Sequence, residues 1–376
     1  MAAAGAAAMV PLHVPGLHRT ARIPRPGKPA PHPPGGHAAL PQRHQLRPRR
    51  VPRLGRTGHQ RPPTARQAVF NHGGGMKHSV IIPLYNKRPY IADTLASLAR
   101  QRKRPHQIIV VDDASSDGSA EEAERALSRH AAELDGVACR MLRLPDNAGP
   151  GAARNAGLAL ADGELVSFLD ADDRYRPDCL QKVADCMRAH KLELAVLGFD
   201  SAPAAERFPL PSRLSGELQT LADSVHLLPD PLRAAGHPDF FMGRASNVVA
   251  RRRWLEHERY DASARLNEGI DFWYRVLRRV SSEPGARAGL ISEPLIRFRI
   301  VADSLSHRGC ADWRALAPPP ALLRYAGSQD AHDVRLMRML ARRWLDYAMN
   351  ALSCPIQRGD FLNHHGALLN SLGMAS

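Results

Sequence analysis

The sequence predicts an α/β fold, with helices on both faces of a mainly parallel central sheet. From residue 79 to about 200, short apolar runs rich in Val and Ile alternate with segments whose apolar residues recur at helical spacing. In addition, polar, turn-rich segments directly follow three of these apolar runs. Parallel strands that serve a ligand site end in this way, because ligands bind beyond the carboxyl ends of the strands.

The strands and helices of this alternation can be placed in order. Residues 79–83 form the first apolar run, and Ile91, Leu95 and Leu98 give the next segment, about 88–102, the spacing of a helix. The other predicted strands are 107–111, 137–144, 164–169 and 194–199, and the other predicted helices are about 119–133, 150–161 and 177–191. This order is typical of βαβ units, which build parallel sheets.

The pattern weakens beyond residue 200. Residues 200–239 are Pro-rich and weakly periodic, so no regular element is predicted there. Further along, the sequence predicts a strand followed by basic residues at 240–253, a helix at 270–280, a short strand at 295–300, and two or three amphipathic helices at roughly 321–350 and 359–372. We therefore expect a main domain over 76–310 and a C-terminal helical extension over 311–376.

The N-terminal tail, residues 1–75, differs in composition from the rest of the chain. It holds 12 of the 52 Lys and Arg residues and 13 of the 31 prolines, and it contains no Asp or Glu. The chain after it has 40 basic and 37 acidic residues, so the formal net charge of +15 belongs mostly to the tail. Because Pro at this density breaks both helices and strands, we predict a disordered tail.

Three explanations of the tail remain open. An organellar transit peptide would be Ser-rich and amphipathic, and the tail is neither. An arm for nucleic acid would carry interleaved aromatic residues, and none precedes Phe70. We favour the third explanation, a translation start upstream of the working one at Met76, because a patterned strand follows Met76 directly. No nucleic-acid partner is expected.

The cysteines and the lengths of the apolar runs indicate in which cellular compartment the protein is located. Five cysteines are scattered without a C-x-x-C pair or metal-ligand spacing, which is typical of a reducing cytoplasm. No apolar run approaches the roughly 18 residues of a membrane span. We expect a cytoplasmic protein, and peripheral association with the inner face of the cell membrane remains an open alternative.

Three of the predicted strands end in polar loops that would lie at one edge of the sheet. They read P-L-Y-N after the first strand, D-D-A-S-S-D-G after the second and D-A-D-D after the fourth. Asp170, Asp172 and Asp173 of the last loop offer the oxygen ligands that a divalent cation prefers. One such loop is weak evidence of a site, because loops after strands are often acidic and solvated, but three at one edge predict a ligand site.

Four motifs together resemble a known family. V-I-I-P-L-Y-N-K, I-I-V-V-D-D-A-S-S-D-G-S, D-N-A-G-P-G-A-A-R-N-A-G and S-F-L-D-A-D-D occur here in the order and spacing of family-two glycosyltransferases. The resemblance is strong over about 79–200 and looser over 245–306. It implies a Rossmann-like GT-A fold and an inverting transfer from a nucleoside-diphosphate-sugar donor, most often a UDP-sugar, to a glycan or lipid-linked acceptor in cell-envelope polysaccharide biosynthesis.

The resemblance also implies donor-binding and metal-binding residues. Two loops would hold the nucleoside, through Pro83, Tyr85, Asn86, Asp112 and Asp113. Arg154 would lie near the diphosphate together with Asp170, and Asp170 and Asp172 would hold Mg²⁺ or Mn²⁺. The cation would neutralise the charge that builds on the leaving diphosphate. Asp117 and Gly118 are better explained as a turn at the start of a helix.

The sequence departs from the family at the catalytic base. The family carries this base as an Asp in an E-D-x-D type motif. In this sequence Glu268 takes the place of the Glu, and Gly269 takes the place of the Asp that acts as the base. Glu268 and Asp271 are therefore the candidate bases. Asp271 is expected in the first turn of a helix, a position that lowers the pKa of a carboxyl group. Glu268 is the favoured candidate.

A second departure lies in R-F-R-I-V-A-D-S-L-S, residues 297–306. Val301 stands where relatives often have a metal-binding His, whereas Arg299, Ser304 and Ser306 fit the pattern. Leu340 replaces the Gln of the Q-x-x-R-W motif of polymerising relatives, so we expect a non-processive enzyme. The two missing residues favour an alternative, a catalytically degenerate nucleotide-sugar-binding protein that acts as a partner or regulator.

Overall fold

A computed structural model describes residues 76–204, 206–240, 242–243, 246–264, 267–301 and 310–374. The predicted disorder of residues 1–75 lies outside these residues, as do Ser304 and Ser306.

The strands and helices begin and end as follows. The strands are β1 His78–Leu84, β2 Gln107–Asp112, β3 Ala138–Arg143, β4 Leu165–Phe168, β5 Arg174–Tyr175, β6 Leu194–Ala202, β7 Arg207–Phe208, β8 Gln219–Ala222, β9 Val225–Leu227, β10 Val248–Arg251 and β11 Ala288–Arg299. The helices are α1 Arg88–Ala99, α2 Ser119–Arg129, α3 Pro150–Leu160, α4 Cys179–Ala189, α5 Pro231–Ala235, α6 Glu268–Ser282, α7 Pro320–Arg324, α8 Ala331–Ala351 and α9 Pro355–Ser371.

One sheet runs through the described part of the chain, in the order β3-β2-β1-β4-β10-β6-β11-β9-β8. Strands β3, β2, β1 and β4 are parallel neighbours, and β6 and β11 form a second parallel pair. Strand β10 is antiparallel to both of its neighbours and joins the two groups. Because β1 is parallel to β2 and β4, the loops after these three strands meet at one edge.

Apolar residues fill both faces of the sheet, and alternate residues of one strand contribute to opposite faces. In β1, Ile81 lies in the core that includes α3, α6 and α8, whereas Val80 and Ile82 lie in the core that includes α1 and α4. Each fully buried aliphatic side chain of this kind contributes about 1.5–3 kcal/mol. The predicted mainly parallel α/β sheet with helices on both faces is confirmed.

The boundaries of the first five predicted strands and four predicted helices agree with the structure to within a few residues. The differences lie mainly beyond residue 200, where the short β7 and α5 were also not predicted. The hairpin of β8 and β9 was not predicted, because both strands are short and β9 is held by pairing with β11. Strand β11 begins seven residues before the predicted 295, because Pro294 and a register shift beside it interrupt the strand pattern.

The C-terminal helices pack on α6 rather than standing apart from it. The hydroxyl of Tyr274 in α6 lies 2.9 Å from a carboxylate oxygen of Asp333 in α8, and both groups are buried. Leu336 and Trp344 of α8 belong to the same hydrophobic core as Trp273 of α6. Helix α6, whose first turn carries both candidate bases, is thus held in place by the C-terminal segment.

Candidate functional site

The loop after β1 is joined to the loop after β2 through Asn86. Its side-chain oxygen accepts a hydrogen bond from the backbone N–H of Ser116 at 2.9 Å, and its own N–H donates to the Ser115 hydroxyl at 3.1 Å. Asn86 has a φ of 50°, which suits the left-handed turn that ends β1. Beside it the Tyr85 side chain is 47% exposed, so its ring is accessible to a planar ligand. Pro83 lies within β1, paired with β2, and is only partly buried.

The two aspartates after β2 have different surroundings. Both carboxylate oxygens of Asp113 accept backbone hydrogen bonds at 2.8 Å, one from Ala148 and one from Gly149. Asp113 therefore holds the loop before α3, a role that the sequence did not reveal. Asp112 accepts a bond from the Ser115 N–H at 3.3 Å, while its other oxygen is buried and has no partner among the described residues. That free acceptor suits a ligand N–H or hydroxyl.

Asp117 forms the turn that the sequence predicts. It accepts hydrogen bonds from the N–H groups of Arg88 and Ser119, at 3.1 and 2.9 Å, which ties the start of α1 to the start of α2. Gly118 follows with a φ of 85°, in the left-handed region that favours glycine.

Arg154 connects three parts of the site. Its guanidinium donates to Asp170 at 3.0 Å and to Glu268 at 2.7 Å, and it lies over the Tyr260 ring with 5.2 Å to the centroid. Burial alone would lower the pKa of Arg154, but the charges of Asp170 and Glu268 raise it overall. Arg154 is therefore a permanent cation at the end of β4, fixed by two carboxylates.

The acidic loop after β4 places its aspartates in different environments. Asp173 is buried and accepts hydrogen bonds from the Ser246 hydroxyl at 2.6 Å and the Arg299 N–H at 3.0 Å. Asp172 pairs with Lys87 at 2.6 Å, and 14% of its side chain is exposed, less than we expect for a loop residue. Burial and the negative charge of Asp170 raise the pKa of both Asp172 and Asp173, and Lys87 opposes this for Asp172.

These pKa shifts bear on the predicted cation. Within the described ranges, no group of three or more His, Cys, Asp or Glu side chains is arranged to hold a metal ion. Asp170 and Asp172 nevertheless fit as two ligands of a cation that takes its other ligands from phosphate and water, as Mg²⁺ commonly does. Burial, followed by the charge of Asp170, raises the pKa of Asp172, and a divalent ion bound there would stabilise the charged carboxylate.

Backbone atoms fill the space beside Gly269, the position at which the family's catalytic base is expected. Helix α6 starts at Glu268, and a side-chain carbon added at Gly269 would overlap the carbonyl oxygen of Gly243. Gly243 itself has a φ of 81°, and a side chain there would press on Ile270 of the same helix. The contact between Gly243 and Gly269 thus requires glycine on both sides, and an aspartate cannot occupy position 269 without moving one of the two segments.

The two candidate bases differ in their surroundings. Glu268 is 8% exposed and bonded to Arg154 at the edge of the site. Asp271 is fully buried, and its oxygens bind Arg324 at 2.8 Å and Arg275 at 3.1 Å. Asp271 lies in the first turn of α6 as predicted, but the expected lowering of its pKa is wrong. Burial raises the pKa of Asp271, and this effect outweighs the opposing Arg324.

Several residues at the site were not predicted. Lys87 pairs with Asp172, Tyr260 faces Arg154, and Ser246 bonds both to the N–H of Asp170 and to Asp173. Lys87 could have been found, because it ends the first motif, whereas no local pattern marks Tyr260 or Ser246. Val301, in the place of the absent His, is buried.

Sequence comparison identifies relatives of the site region. Residues 79–248 match the family model "Glycosyl transferase family 2". The chain is 35% identical over 132 residues to a putative teichuronic acid biosynthesis glycosyltransferase, TuaG of Bacillus subtilis, a match that covers 35% of this chain and 50% of that protein. It is 34% identical over 125 residues to the poly(ribitol-phosphate) beta-N-acetylglucosaminyltransferase TarS of Staphylococcus aureus, over 32% of this chain and 21% of that protein. The chain thus spans half or less of these relatives.

Structural comparison gives the same fold. The crystal structure of S. aureus TarS 1–349 in complex with UDP-GlcNAc superposes with a TM-score of 0.56 at 19% identity, covering 79% of this chain and 82% of that one. Without the ligand, the same fragment superposes with a TM-score of 0.55 at 19% identity, over 79% and 81%. No helix in the described ranges is long and apolar enough to span a membrane. Residues 79–248 of this chain are thus similar to glycosyl transferase family 2, and the fold is of the GT-A type.

Proposed function

We propose that this protein transfers a single sugar, with inversion and assisted by a divalent cation, from a nucleoside-diphosphate-sugar to a glycan, lipid-linked or other acceptor. The observation that supports this best is the Arg154 bridge between Asp170 and Glu268. It brings a cation, a candidate metal ligand and a candidate base together at the edge where β1, β2 and β4 end. The proposed setting is cytoplasmic synthesis of cell-envelope polysaccharide, by a non-processive enzyme.

The donor's nucleoside would lie between the loops after β1 and β2. The exposed Tyr85 ring can stack on a base, and the free oxygen of Asp112 can accept a hydrogen bond from the base or ribose. Asn86 and Asp113 would shape this pocket by holding its loops, since their polar atoms already bind backbone groups. A UDP-type donor is supported by the UDP-GlcNAc bound to TarS, a protein of the same fold.

The diphosphate would lie beside Arg154, Asp170 and Asp172. A Mg²⁺ or Mn²⁺ held by Asp170 and Asp172 would neutralise charge on the departing diphosphate. Arg154 adds a fixed positive charge there, because two carboxylates orient its guanidinium before any ligand arrives. Lys87 supplies a second cation, at Asp172.

Glu268 would accept the proton of the acceptor hydroxyl. Of the two candidate bases only Glu268 has an exposed fraction, and its contact with Arg154 orients its carboxylate at the site. Asp271 is fully buried, and two arginines engage its oxygens, so it holds α6 to α7 rather than facing a substrate. Loss of a general base costs about 10²–10⁴ in rate.

A second function, nucleotide-sugar binding without catalysis, is favoured by one observation. Gly269 stands at the family's base position, and the Gly243 carbonyl fills the space that a side chain would need. A protein of this kind would bind the donor through the same loops and act as a partner or regulator of another transferase.

One experiment separates these functions. The full chain would be incubated with a panel of UDP-sugars, GDP-sugars and dTDP-sugars, with Mn²⁺ or with EDTA, and release of nucleoside diphosphate would be followed. Transferase function predicts Mn²⁺-dependent release with at least one donor, reduced about 100-fold by Glu268→Gln. The matched control is Glu133→Gln, an exposed residue outside the site, which should leave release unchanged. Donor binding by calorimetry without release from any donor would support the binding function instead.

A further inference from the structure

A polar cavity lies between the end of α1 and the strands β5 and β11. Its volume is about 230 Å³, and four of its lining residues are arginines: Arg100, Arg174, Arg176 and Arg297. That volume is comparable to one phosphate group with part of the chain that carries it.

The sheet itself brings these arginines together. Strand β5 pairs antiparallel with β11, and Arg174 lies directly opposite Arg297. Like charges at directly opposed positions destabilise a strand pair. Arg176 lies one residue beyond β5 and lines the same cavity. The strand pairing thus concentrates positive charge on one face.

Carboxylates balance only part of this charge. Asp200 contacts both Arg176 and Arg297, the latter at 3.3 Å, and Asp93 lies 3.8 Å from Arg174. No carboxylate of the described residues lies within salt-bridge distance of Arg100. Four guanidinium groups therefore share two carboxylates, and Asp93 is also bound by Arg299 at 3.0 Å. Clustered guanidinium groups with excess charge in a concavity bind phosphate oxygens, often in bidentate fashion.

The chain segment that lines the cavity directly follows the proposed metal loop. Arg174 follows Asp173 directly, and the Arg299 N–H, two residues beyond Arg297, donates to Asp173 at 3.0 Å. An anionic chain bound at the arginines could therefore extend along β5 toward Asp172 and the donor. This continuity favours a ligand that takes part in the transfer over one unrelated to it.

We propose that this cavity binds a phosphate group of the acceptor, so that the acceptor is a phosphodiester-bearing polymer. This inference rests on the proposed transferase function and specifies its acceptor class. A concave cavity of this volume fits one phosphate group of a soluble chain, whereas a lipid surface would need a flat or protruding basic face. The arginines would fix the position of the polymer, and the sugar would be accepted by a hydroxyl of a neighbouring unit.

Fluorescence anisotropy of the full chain with a fluorescein-labelled glycerol-phosphate hexamer tests this proposal. We expect saturable binding that weakens with salt, and no binding of labelled isomaltohexaose, which is neutral. Arg174→Gln/Arg297→Gln should weaken hexamer binding at least tenfold. Arg100→Gln should weaken it several-fold, and this exposed residue after α1 can be replaced without loss of an ion pair. The control Arg129→Gln, an exposed residue of α2, should bind the hexamer as the wild type does.

The affinity for UDP, measured by calorimetry on the same variants, separates this inference from the proposed function. If UDP binds and hexamer binding is the same in wild type, Arg100→Gln and the double variant, the acceptor site is wrong and the transferase proposal stands. If UDP and all other nucleotides fail to bind, the transferase proposal fails, whatever the hexamer does. Binding to phosphatidylglycerol vesicles that depends on these arginines, without hexamer binding, would overturn the proposal in favour of a lipid surface.

Discussion

The guanidinium of Arg154 lies 2.7 Å from the carboxylate of Glu268, and this contact joins α3 to the first residue of α6. Both side chains are largely buried, so each would be costly to leave without its partner. The contact also places a candidate base beside the acidic loop, because Arg154 binds Asp170 with its other amino group.

Arg154→Met should destabilise the protein by about 3–5 kcal/mol. The substitution leaves the buried carboxylate of Glu268 and the partly buried carboxylate of Asp170 without their cation. Urea unfolding followed by circular dichroism measures this difference. The double variant Arg154→Met/Glu268→Gln should recover part of the loss, since one of the two uncompensated charges is then removed. Equal stability of wild type and Arg154→Met would show that the bridge is not formed in solution.

Glu268→Gln should lower turnover about 100-fold or more while donor affinity stays within twofold, because Gln keeps the shape but cannot accept the proton. Steady-state kinetics and calorimetry with the active donor measure the two quantities. Asp271→Asn should instead lower the stability, because two arginines then lose a buried charged partner. Full activity of Glu268→Gln together with an inactive, folded Asp271→Asn would assign the base to Asp271.

Gly269→Asp should not create or improve catalysis, although it restores the residue type expected by resemblance. The new side chain would overlap the Gly243 carbonyl, and overpacking of this kind costs about 1–3 kcal/mol. Thermal unfolding should show a lower Tm, and the matched control Gly359→Ala, a helical glycine of α9 with open space around it, should not lower the Tm. A rise in transfer rate in Gly269→Asp would show that the two segments can separate and would support a degenerate transferase.

Asp172→Asn should abolish the Mn²⁺ dependence of donor binding without lowering the Tm. Burial, followed by the charge of Asp170, raises the pKa of Asp172, so removing its charge relieves a desolvation cost and a repulsion while it frees Lys87. Calorimetric titration of UDP with Mn²⁺ or EDTA measures the dependence, and differential scanning calorimetry measures the Tm. Asp185→Asn, on the exposed side of α4, is the control. An Asp172→Asn protein that still needs Mn²⁺ for UDP would exclude Asp172 as a ligand.

The free energy of unfolding should decrease as the pH is lowered, because His78 is buried in the folded protein. Burial, with a smaller contribution from Lys103, lowers the pKa of His78 from 6.5 to about 3. Below pH 6.5 the unfolded chain therefore binds a proton that the folded chain does not, so stability is lost as pH falls from 6.5 toward 3. Between pH 7 and 5 this loss is about 2 kcal/mol.

His78→Gln should show correspondingly less loss over that interval, because Gln does not titrate. The measurement is the free energy of unfolding in urea at pH 7 and pH 5 for both proteins, and the comparison cancels the titration of other groups. Equal losses in the two proteins would mean that His78 becomes protonated in the folded state.

Most of the parallel half of the fold could be predicted because its signals are local. The apolar runs that became β1, β2 and β4 are buried on both faces, and such strands read as continuous Val and Ile. The edge hairpin of β8 and β9 and the start of β11 could not be predicted in this way. Their residues are partly exposed or interrupted by Pro294, and only pairing with distant strands makes them extended.

The sequence by itself determined the βα order, the three polar loops at one edge, and the departures at Gly269 and Val301, because each is a property of residues adjacent in the chain. The tertiary structure alone decided which charges meet. Arg154 forms an ion pair with Glu268, 114 residues away in the chain, and Lys87 forms one with Asp172. The Gly243 carbonyl likewise fills the space beside Gly269. The basic cavity likewise depends on the register that sets Arg174 opposite Arg297. Contacts between distant segments follow from how strands pair and helices pack, and no local period in the sequence encodes that geometry.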